Sequence, residues 1–178
     1  MPSTGTLHSI LLKSDGTAAA FGENNIIGQC NIPGQPEGIT YTQVAAGSWY
    51  TVLLKSDGTA VGFGENDYGQ CDIPGPPEGI TYTQVAAGGW DTVLLKSDGT
   101  AVAFGENADG QCNIPGPPEG ITYTQVAAGD EHTVLLQCDG TAVAFGGNCY
   151  GQCNIPALAD GVKYLSLIHI SEPTRPSS

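Results

Sequence analysis

The sequence predicts an all-β fold, a β-propeller of antiparallel blades, from an internal repeat and from the turn at its centre. A segment of the form TVLLKSDGTAVAFG occurs at residues 51–64, 92–105 and 133–146, spaced 41 residues apart, and in a variant form at residues 9–22. A period of this length is typical of propellers and solenoids, in which each unit packs on its neighbours because it cannot bury a core alone. The Asp-Gly pair in each copy, between two strand-like runs, is a strong β-hairpin signal. About four blades are therefore predicted.

The third repeat shows how one blade is built. Residues 80–88 (ITYTQVAAG) form a β-prone run that ends in small residues, and we name it strand A. Strand B, residues 92–96 (TVLLK), has consecutive apolar residues, as expected when both sheet faces are buried. The Asp98-Gly99 turn leads to strand C, residues 100–104. Residues 111–114 (QCNI) are a candidate strand D, so each blade is predicted to have three or four strands.

The repeats extend over residues 5–164, and helices are not expected there because Pro and Gly interrupt every window. After residue 164 the repeat pattern stops. Residues 165–175 (LSLIHISEPTR) are similar to the translated end of a sequencing-library adapter. Residues 165–178 are therefore predicted to be a non-native tail, and the repeats are expected to be a window from a longer protein.

The composition argues against several classes of partner. The net charge is −13 and only five residues are Lys or Arg, whereas binding to a phosphate backbone needs clustered basic residues. No apolar run is long enough to span a bilayer, and residues 1–5 do not resemble a secretory signal. We expect no direct nucleic acid, no membrane, and an intracellular location that is cytoplasmic or nuclear.

Four of the six cysteines occupy the same place in successive repeats. Neighbouring packed sheets lie roughly 10 Å apart, but a disulfide needs Cα atoms within about 7 Å. Equivalent cysteines should therefore stay reduced, which also favours the intracellular setting. Cys138 and Cys149 belong to one repeat, and whether they approach each other is left open. The four equivalent cysteines are Cys30, Cys71, Cys112 and Cys153.

The alternating direction of strands A, B and C places the A–B loop and the C–D loop at one end of every blade. The Asp-Gly turns, with Lys13, Lys55 and Lys96 beside them, lie at the other end. The repeats differ most in the two loops, so a uniform scaffold presents varied side chains on one surface. Aromatic anchors and acidic neighbours there indicate a protein interface with a basic partner. The candidate residues are Trp49, Tyr50, Tyr68, Trp90, Asp91, Asp109, Asp130, Glu131, His132 and Tyr150.

Catalysis is not expected from this chain. His8 and His132 lie three repeats apart, and the equivalent residues are not His, so a structural role that caps the loop is favoured. No phosphate-binding loop or nucleophile–base motif occurs. No metal, cofactor or small-molecule substrate is therefore predicted. Two sets of carboxylates recur at most once per blade, which is too few together for calcium or for an acid–base pair: Asp15, Asp57, Asp98 and Asp139 in the turns, and Glu23, Glu65 and Glu106 after strand C.

The string VAAGxxHTVLLKSDGTAVAFGxNxxGQC resembles the repeat of the regulator of chromosome condensation family. In the fourth repeat it is represented by His132-Thr133, Asp139-Gly140, Phe145-Gly146, Asn148 and Gly151-Gln152. The resemblance implies an open arc of a seven-bladed propeller. The short period is closer to the bacterial β-lactamase-inhibitor protein II branch, which implies three strands plus an irregular segment per blade.

Two departures from the family limit what it implies. The His before Thr is replaced by Tyr50 and Asp91 in the middle repeats. Trp49 and Trp90 sit one place later than the Trp of the plant ultraviolet-B receptor and lack its neighbouring Arg, so photoreception is not expected. The favoured hypothesis is a non-catalytic protein–protein interaction module. The alternative is the repeat region of a larger HECT-type ubiquitin ligase or of a guanine-nucleotide exchange factor.

Overall fold

The computed structural model describes residues 3–5, 8–22 and 25–167. Within these ranges the chain forms four sheets of three antiparallel strands, each in chain order. We call the sheets the first to fourth blades. A single 3-10 turn at Asn25–Ile27 is the helical element of the described part. The strands are β1 Ser3–Thr4, β2 His8–Leu12, β3 Ala18–Gly22, β4 Tyr41–Ala46, β5 Tyr50–Lys55, β6 Ala60–Gly64, β7 Tyr82–Ala87, β8 Asp91–Lys96, β9 Ala101–Gly105, β10 Tyr123–Ala128, β11 His132–Gln137 and β12 Ala142–Gly146.

The Asp-Gly turn makes the B–C hairpin for a local physical reason. Asp98 Oδ1 accepts hydrogen bonds from the backbone N–H of Thr100 at 2.9 Å and from its hydroxyl at 2.7 Å. Gly99 follows with φ of +78°, a conformation that glycine adopts without steric cost. The carbonyl of Gly99 then accepts the N–H of Tyr123 at 2.8 Å, so the turn also fixes where strand A of the next blade begins.

The core lies between blades. β8 is buried along five consecutive residues, as the unbroken apolar run predicts. Val93 and Leu95 of the third blade pack with Val126 and Leu135 of the fourth in one apolar cluster. We call this contact between neighbouring blades a seam. It buries apolar surface that a single three-stranded sheet would leave exposed to water.

A glutamine on strand A of the second and third blades joins each to the following blade by a side-chain hydrogen bond. Gln84 Oε1 accepts the N–H of Val126 at 2.8 Å, and Gln43 Oε1 accepts that of Val85 at 2.6 Å. Gln125 Oε1 accepts the N–H of Leu167 at 2.8 Å in the same way. The backbone therefore keeps the repeat register to Leu167, within the segment that departs from the repeat in sequence.

The candidate strand D does not form in the described residues. Residues 111–114 make tight turns instead, with the N–H of Asn113 bonded to the carbonyl of Gly110 at 3.1 Å. The side chain of Asn107 accounts for this, because its Oδ1 accepts the N–H of Cys112 and its Nδ2 donates to Asn113. The blades thus have three strands and an irregular segment. No helix of the described part is long and apolar enough to cross a membrane.

The A–B loops of neighbouring blades touch each other through glycine. A Cβ placed on Gly88 would lie 2.4 Å from the carbonyl oxygen of Gly129 and 2.3 Å from Asp91 Oδ1. The N–H of Gly89 donates to that same Gly129 carbonyl at 3.2 Å, and the N–H of Ser48 donates to Gly89 at 3.3 Å. Only a residue without a side chain fits at Gly88, which explains the small residues that end each strand A.

Candidate partner-binding face

The two variable loops emerge at the same end of each blade, as the strand directions predict. Asp91 pairs with Gly105 and Ala87 pairs with Thr92, so the loops on either side of β8 adjoin. The N–H of Glu106 also donates to the carbonyl of Trp90 at 2.9 Å. We define the loop face as the A–B loops (residues 47–49, 88–90 and 129–131) and the C–D loops (residues 65–69, 106–110 and 147–151) of the second to fourth blades.

An aromatic pair bridges the second and third blades on the loop face. The rings of Tyr68 and Trp90 meet edge to face, with centroids 6.4 Å apart. Trp90 Nε1 donates to Glu65 Oε2 at 3.2 Å, so the indole is held by two residues of the preceding blade. Trp90 is half-buried and Tyr68 is 52% exposed, which leaves an apolar surface beside a carboxylate.

Further predicted contact residues lie exposed on the same face. Tyr150, which takes the place of Tyr68 in the fourth blade, is 73% exposed. Trp49, the equivalent of Trp90 in the second blade, is half-buried. The arrangement therefore offers aromatic surface on more than one blade. The exposed carboxylates of the loop face are those of Asp67, Asp109, Asp130 and Glu131.

Tyr50 and Asp91 were predicted to contact a partner, but the structure places both inside the array. Each is 0% exposed. The Tyr50 ring folds over Gly47, and its hydroxyl donates to the backbone carbonyl of Asp91 in the next blade. Burial, with the Asp91 carboxyl second, holds the pKa of Tyr50 well above its usual range. The side chains of Tyr50 and Asp91 are thus not part of the exposed surface.

The residue before Thr in strand B folds over the glycine of its own A–B loop in every blade. His8 is buried, and its Nε2 lies 2.8 Å from Thr51 Oγ1 of the second blade. Burial lowers the pKa of His8, which favours a neutral ring near pH 7. His132 is half-buried and folds over Gly129 of its own loop. The sequence places this residue next to a variable loop and gives no sign that its side chain is buried. The burial follows from the side chain folding back over the loop glycine.

The two ends of the blades differ in charge, because the loop face has carboxylates alone whereas the turn end has both Lys and Asp side chains. No Lys or Arg occurs in the loop-face segments, which contain six carboxylates. Lys55 and Lys96 end their strands two residues before the Asp-Gly turns, at the opposite end. The Lys163 side chain lies over Gly140, also at a turn. The loop face is therefore uniformly acidic, which favours approach of a cationic surface.

The thiols behind the C–D loops are poor nucleophiles. Cys71 Sγ donates to the carbonyl of Glu65 at 3.3 Å, and Cys112 Sγ donates to that of Glu106 at 3.2 Å. Burial, with nearby carboxylates second, raises the pKa of each thiol to about 12. All six cysteines are free. Among the described residues, no group of three or more His, Cys, Asp or Glu side chains is arranged to hold a metal ion.

Successive three-stranded sheets that bury their faces against one another are the blades of a β-propeller. The sequence profile of the Regulator of chromosome condensation (RCC1) repeat matches residues 41–70 and 123–152. The chain therefore contains RCC1 repeats, and the resemblance predicted from the sequence is confirmed. A comparison of the amino-acid sequence with curated proteins finds no match.

Solved structures share the same fold. Human WBSCR16 superposes with a TM-score of 0.74 at 19% identity, over 87% of this chain and 49% of that one. Prp20p from Saccharomyces cerevisiae gives a TM-score of 0.69 at 20% identity, over 82% and 44%. The ectodomain of the Physcomitrella patens receptor kinase CR4 gives 0.63 at 22% identity, over 89% and 43%. The chain thus spans less than half the length of these propellers.

Proposed function

We propose that this chain is a non-catalytic protein-interaction scaffold whose loop face binds a partner with a basic surface. The observation behind this proposal is the Tyr68–Trp90 pair, half exposed and surrounded by carboxylates without a basic residue in the same loops. Trp and Tyr are enriched among the residues that dominate binding energy in interfaces. An acidic surface speeds and orients the approach of a basic protein. We place the interaction inside the cell.

The fold neighbours favour a protein partner. The structure of Prp20p was described together with its binding to Gsp1p and histones, and Prp20 has also been seen bound by Kap60. Histones are basic proteins, so they have the charge that the loop face of this chain would attract. Because the fold is shared, we expect a protein surface as the ligand of this chain too. Which protein binds depends on the residues of the loops.

The test compares equal losses of charge on opposite ends of the blades. Purified core histones serve as the basic probe, and binding is measured by isothermal titration at moderate salt. The loop-face variant D67N/D109N should bind more weakly, by about tenfold, since each lost carboxylate removes an attraction of about 0.7 kcal/mol. The turn-end variant D57N/D98N loses the same charge and should bind as the parent does.

The aromatic pair is tested in the same assay. Trp90→Ala with Tyr68→Ala should weaken binding by about 2–4 kcal/mol if the rings are anchors. Circular dichroism of each variant verifies that the sheets remain. Equal affinity of the aromatic variant and the parent would contradict the proposed interface, as would equal effects of the two charge variants.

A second candidate is participation in guanine-nucleotide exchange, and the likeness to yeast RCC1 (Prp20), described with its binding to Gsp1p, favours it. The assay is release of a fluorescent nucleotide from a small GTPase in the presence of the chain. Accelerated release would support this candidate over a simple scaffold. The HECT-type ubiquitin ligase alternative concerns a catalytic domain outside this chain, and the full gene sequence tests it.

A further inference from the structure

The seam residue of the third blade differs from those of the first and second. In each blade the first residue of strand B folds back over the glycine of its own A–B loop. His8 and Tyr50 are long enough to reach the next blade, at Thr51 Oγ1 and at the carbonyl of Asp91 respectively. Asp91 stands at the same position with a much shorter side chain. It cannot complete the contact to the fourth blade in this way.

The third seam, between the third and fourth blades, therefore contains polar groups without partners. Asp91 is 0% exposed, and neither of its carboxyl oxygens has a hydrogen-bond partner. Thr133 Oγ1, the equivalent of Thr51 Oγ1, is also buried without a partner. Buried polar atoms without partners are costly, so native proteins rarely keep several together without a ligand or a functional reason.

The groups around Asp91 are acidic. Glu106 faces it from the C–D loop of its own blade, and Asp130 faces it from the A–B loop of the fourth. Burial is the largest effect on the carboxyl, and with these two charges it raises the pKa of Asp91 to about 8. Asp91 is thus protonated for the most part at pH 7. The other titratable groups near this seam are the Tyr50 hydroxyl, the Cys112 thiol and the His132 ring, which folds over Gly129.

Glycine backbone lies directly against the Asp91 carboxyl, since a Cβ placed on Gly88 would be 2.3 Å from Asp91 Oδ1. The third A–B loop is the one with two consecutive glycines, Gly88 and Gly89. In the neighbouring loops Ser48 and Asp130 take the place of Gly89. The loop is held to the next blade by a hydrogen bond of 3.2 Å from the Gly89 N–H to the Gly129 carbonyl. For a ligand to reach the carboxyl, this loop must open beside Asp130, whose carbonyl oxygen would lie 2.7 Å from a Cβ placed on Gly89.

We propose that the third seam binds one guanidinium group of a basic partner, which docks between Asp91, Glu106 and Asp130 and displaces the proton of the Asp91 carboxyl. The inference rests on the proposed function, because it names the group that the loop face recognises. A guanidinium matches a carboxylate with two parallel hydrogen bonds and stays charged at all relevant pH values. The Thr133 hydroxyl oxygen can accept a further bond. The Asp91 proton leaves to solvent.

This exchange makes binding depend on pH in a range where surface carboxylates do not titrate. The ionised fraction of a carboxyl with a pKa of about 8 rises about tenfold between pH 7 and pH 9. The affinity for a guanidinium should rise by the same factor and then level off. Near pH 7 binding should release almost one proton. Docking on ordinary carboxylates alone would give the same affinity at both pH values and release no proton.

The experiment titrates the full chain with an acetylated, amidated tetra-arginine peptide. Isothermal titration at pH 7 and pH 9, in two buffers of different ionisation enthalpy, gives the affinity and the number of protons released. The parent should show the tenfold rise and the proton release. Asp91→Asn keeps the shape but cannot ionise, so it should lose both. Asp67→Asn, the control, makes the same chemical change at an exposed carboxylate of the loop face and should keep both.

Asp91→His is the second variant, because it restores the residue that the first and fourth repeats have at this position. It should also lose the tenfold rise, since an imidazole titrates below this range. A flat affinity in the parent, absence of peptide binding, or a rise that survives in both Asp91 variants would overturn the inference. Suppose that the peptide experiment fails. If D67N/D109N still weakens histone binding more than D57N/D98N does, the proposed function stands and only this inference falls. If the two variants bind histones equally, both fall.

Discussion

The indole Nε1 of Trp90 donates a hydrogen bond of 3.2 Å to Glu65 Oε2 in the preceding blade. The same indole meets the ring of Tyr68 edge to face, so one side chain joins two blades on the loop face. A residue proposed to bind a partner therefore also stabilises a seam. The hydrogen bond depends on Nε1 alone, whereas the contact with Tyr68 depends on the ring.

Replacing Trp90 by Phe should lower the free energy of unfolding by about 0.5–1.5 kcal/mol, the usual value of one lost hydrogen bond. Trp90→Ala should cost more, about 2–3 kcal/mol, since the edge-to-face contact and the buried part of the ring are lost too. Urea denaturation followed by circular dichroism measures both. Glu65→Gln, which keeps an acceptor oxygen, is the control and should stay close to the parent. Equal values for Phe and Ala would contradict a role for the Tyr68 contact.

The contact between A–B loops predicts a strict requirement for glycine at one position. Gly88→Ala would place a methyl group 2.4 Å from the Gly129 carbonyl oxygen, which is backbone and cannot rotate away. We expect a loss of at least about 2 kcal/mol in the free energy of unfolding. Gly116→Ala is the matched control, because nothing lies within 4 Å of a Cβ there. It should change stability by less than about 0.5 kcal/mol.

The sequence was sufficient for features that are decided locally. The Asp98-Gly99 turn and the unbroken apolar run of strand B are each specified by adjacent residues, and both are present as predicted. Strand direction then follows, so the shared end of the two variable loops was also predictable.

Features that depend on a neighbouring blade could not be predicted in this way. Tyr50 is next to a loop in sequence, which suggests exposure. Its ring instead packs over Gly47 and its hydroxyl bonds to the backbone of Asp91 in the next blade, so the side chain is buried. The partner of Trp90 lies 25 residues earlier in the chain, in another blade. The candidate strand D failed because the side chain of Asn107 bonds the backbone that a strand would need for pairing.

The cysteines should divide into two groups by reactivity. Cys138 and Cys149 are exposed, and hydrogen bonds from the backbone and side chain of Thr122 lower the pKa of Cys138. Cys71 and Cys112 have pKa values raised to about 12, so little thiolate forms near neutral pH. With an aromatic disulfide reagent at pH 8, the two exposed thiols should react first. The buried thiols should react only after urea is added.

Cys138→Ser with Cys149→Ser is the control for that assay, and it should abolish the fast phase. Ser stands at the position of Cys138 in the other turns, where Ser97 Oγ accepts the N–H of Thr81 at 3.1 Å, so the turn should be kept. Rapid labelling of Cys112 in the folded chain, detected by mass spectrometry, would contradict the burial of the C–D segment.

Asp91 should make the stability of the chain fall as the pH rises. Its folded-state pKa of about 8 lies above its usual value of 3.8, so between these values the folded state holds a proton that the unfolded state has released. The free energy of unfolding should therefore decrease by up to about 1.4 kcal/mol for each pH unit, and become constant above pH 8. Asp91→Asn cannot lose a proton and should lack this slope.

Urea denaturation of the parent and of Asp91→Asn at pH 5, 6, 7 and 8 measures the effect. His8, whose pKa is lowered, contributes in the opposite direction, but its contribution is the same in both proteins and cancels in the difference between their free energies of unfolding. The carboxyls of Asp57 and Asp98 have lowered pKa values and titrate below this range. A parent and a variant with the same pH dependence would mean that the Asp91 carboxyl is ionised inside the third seam.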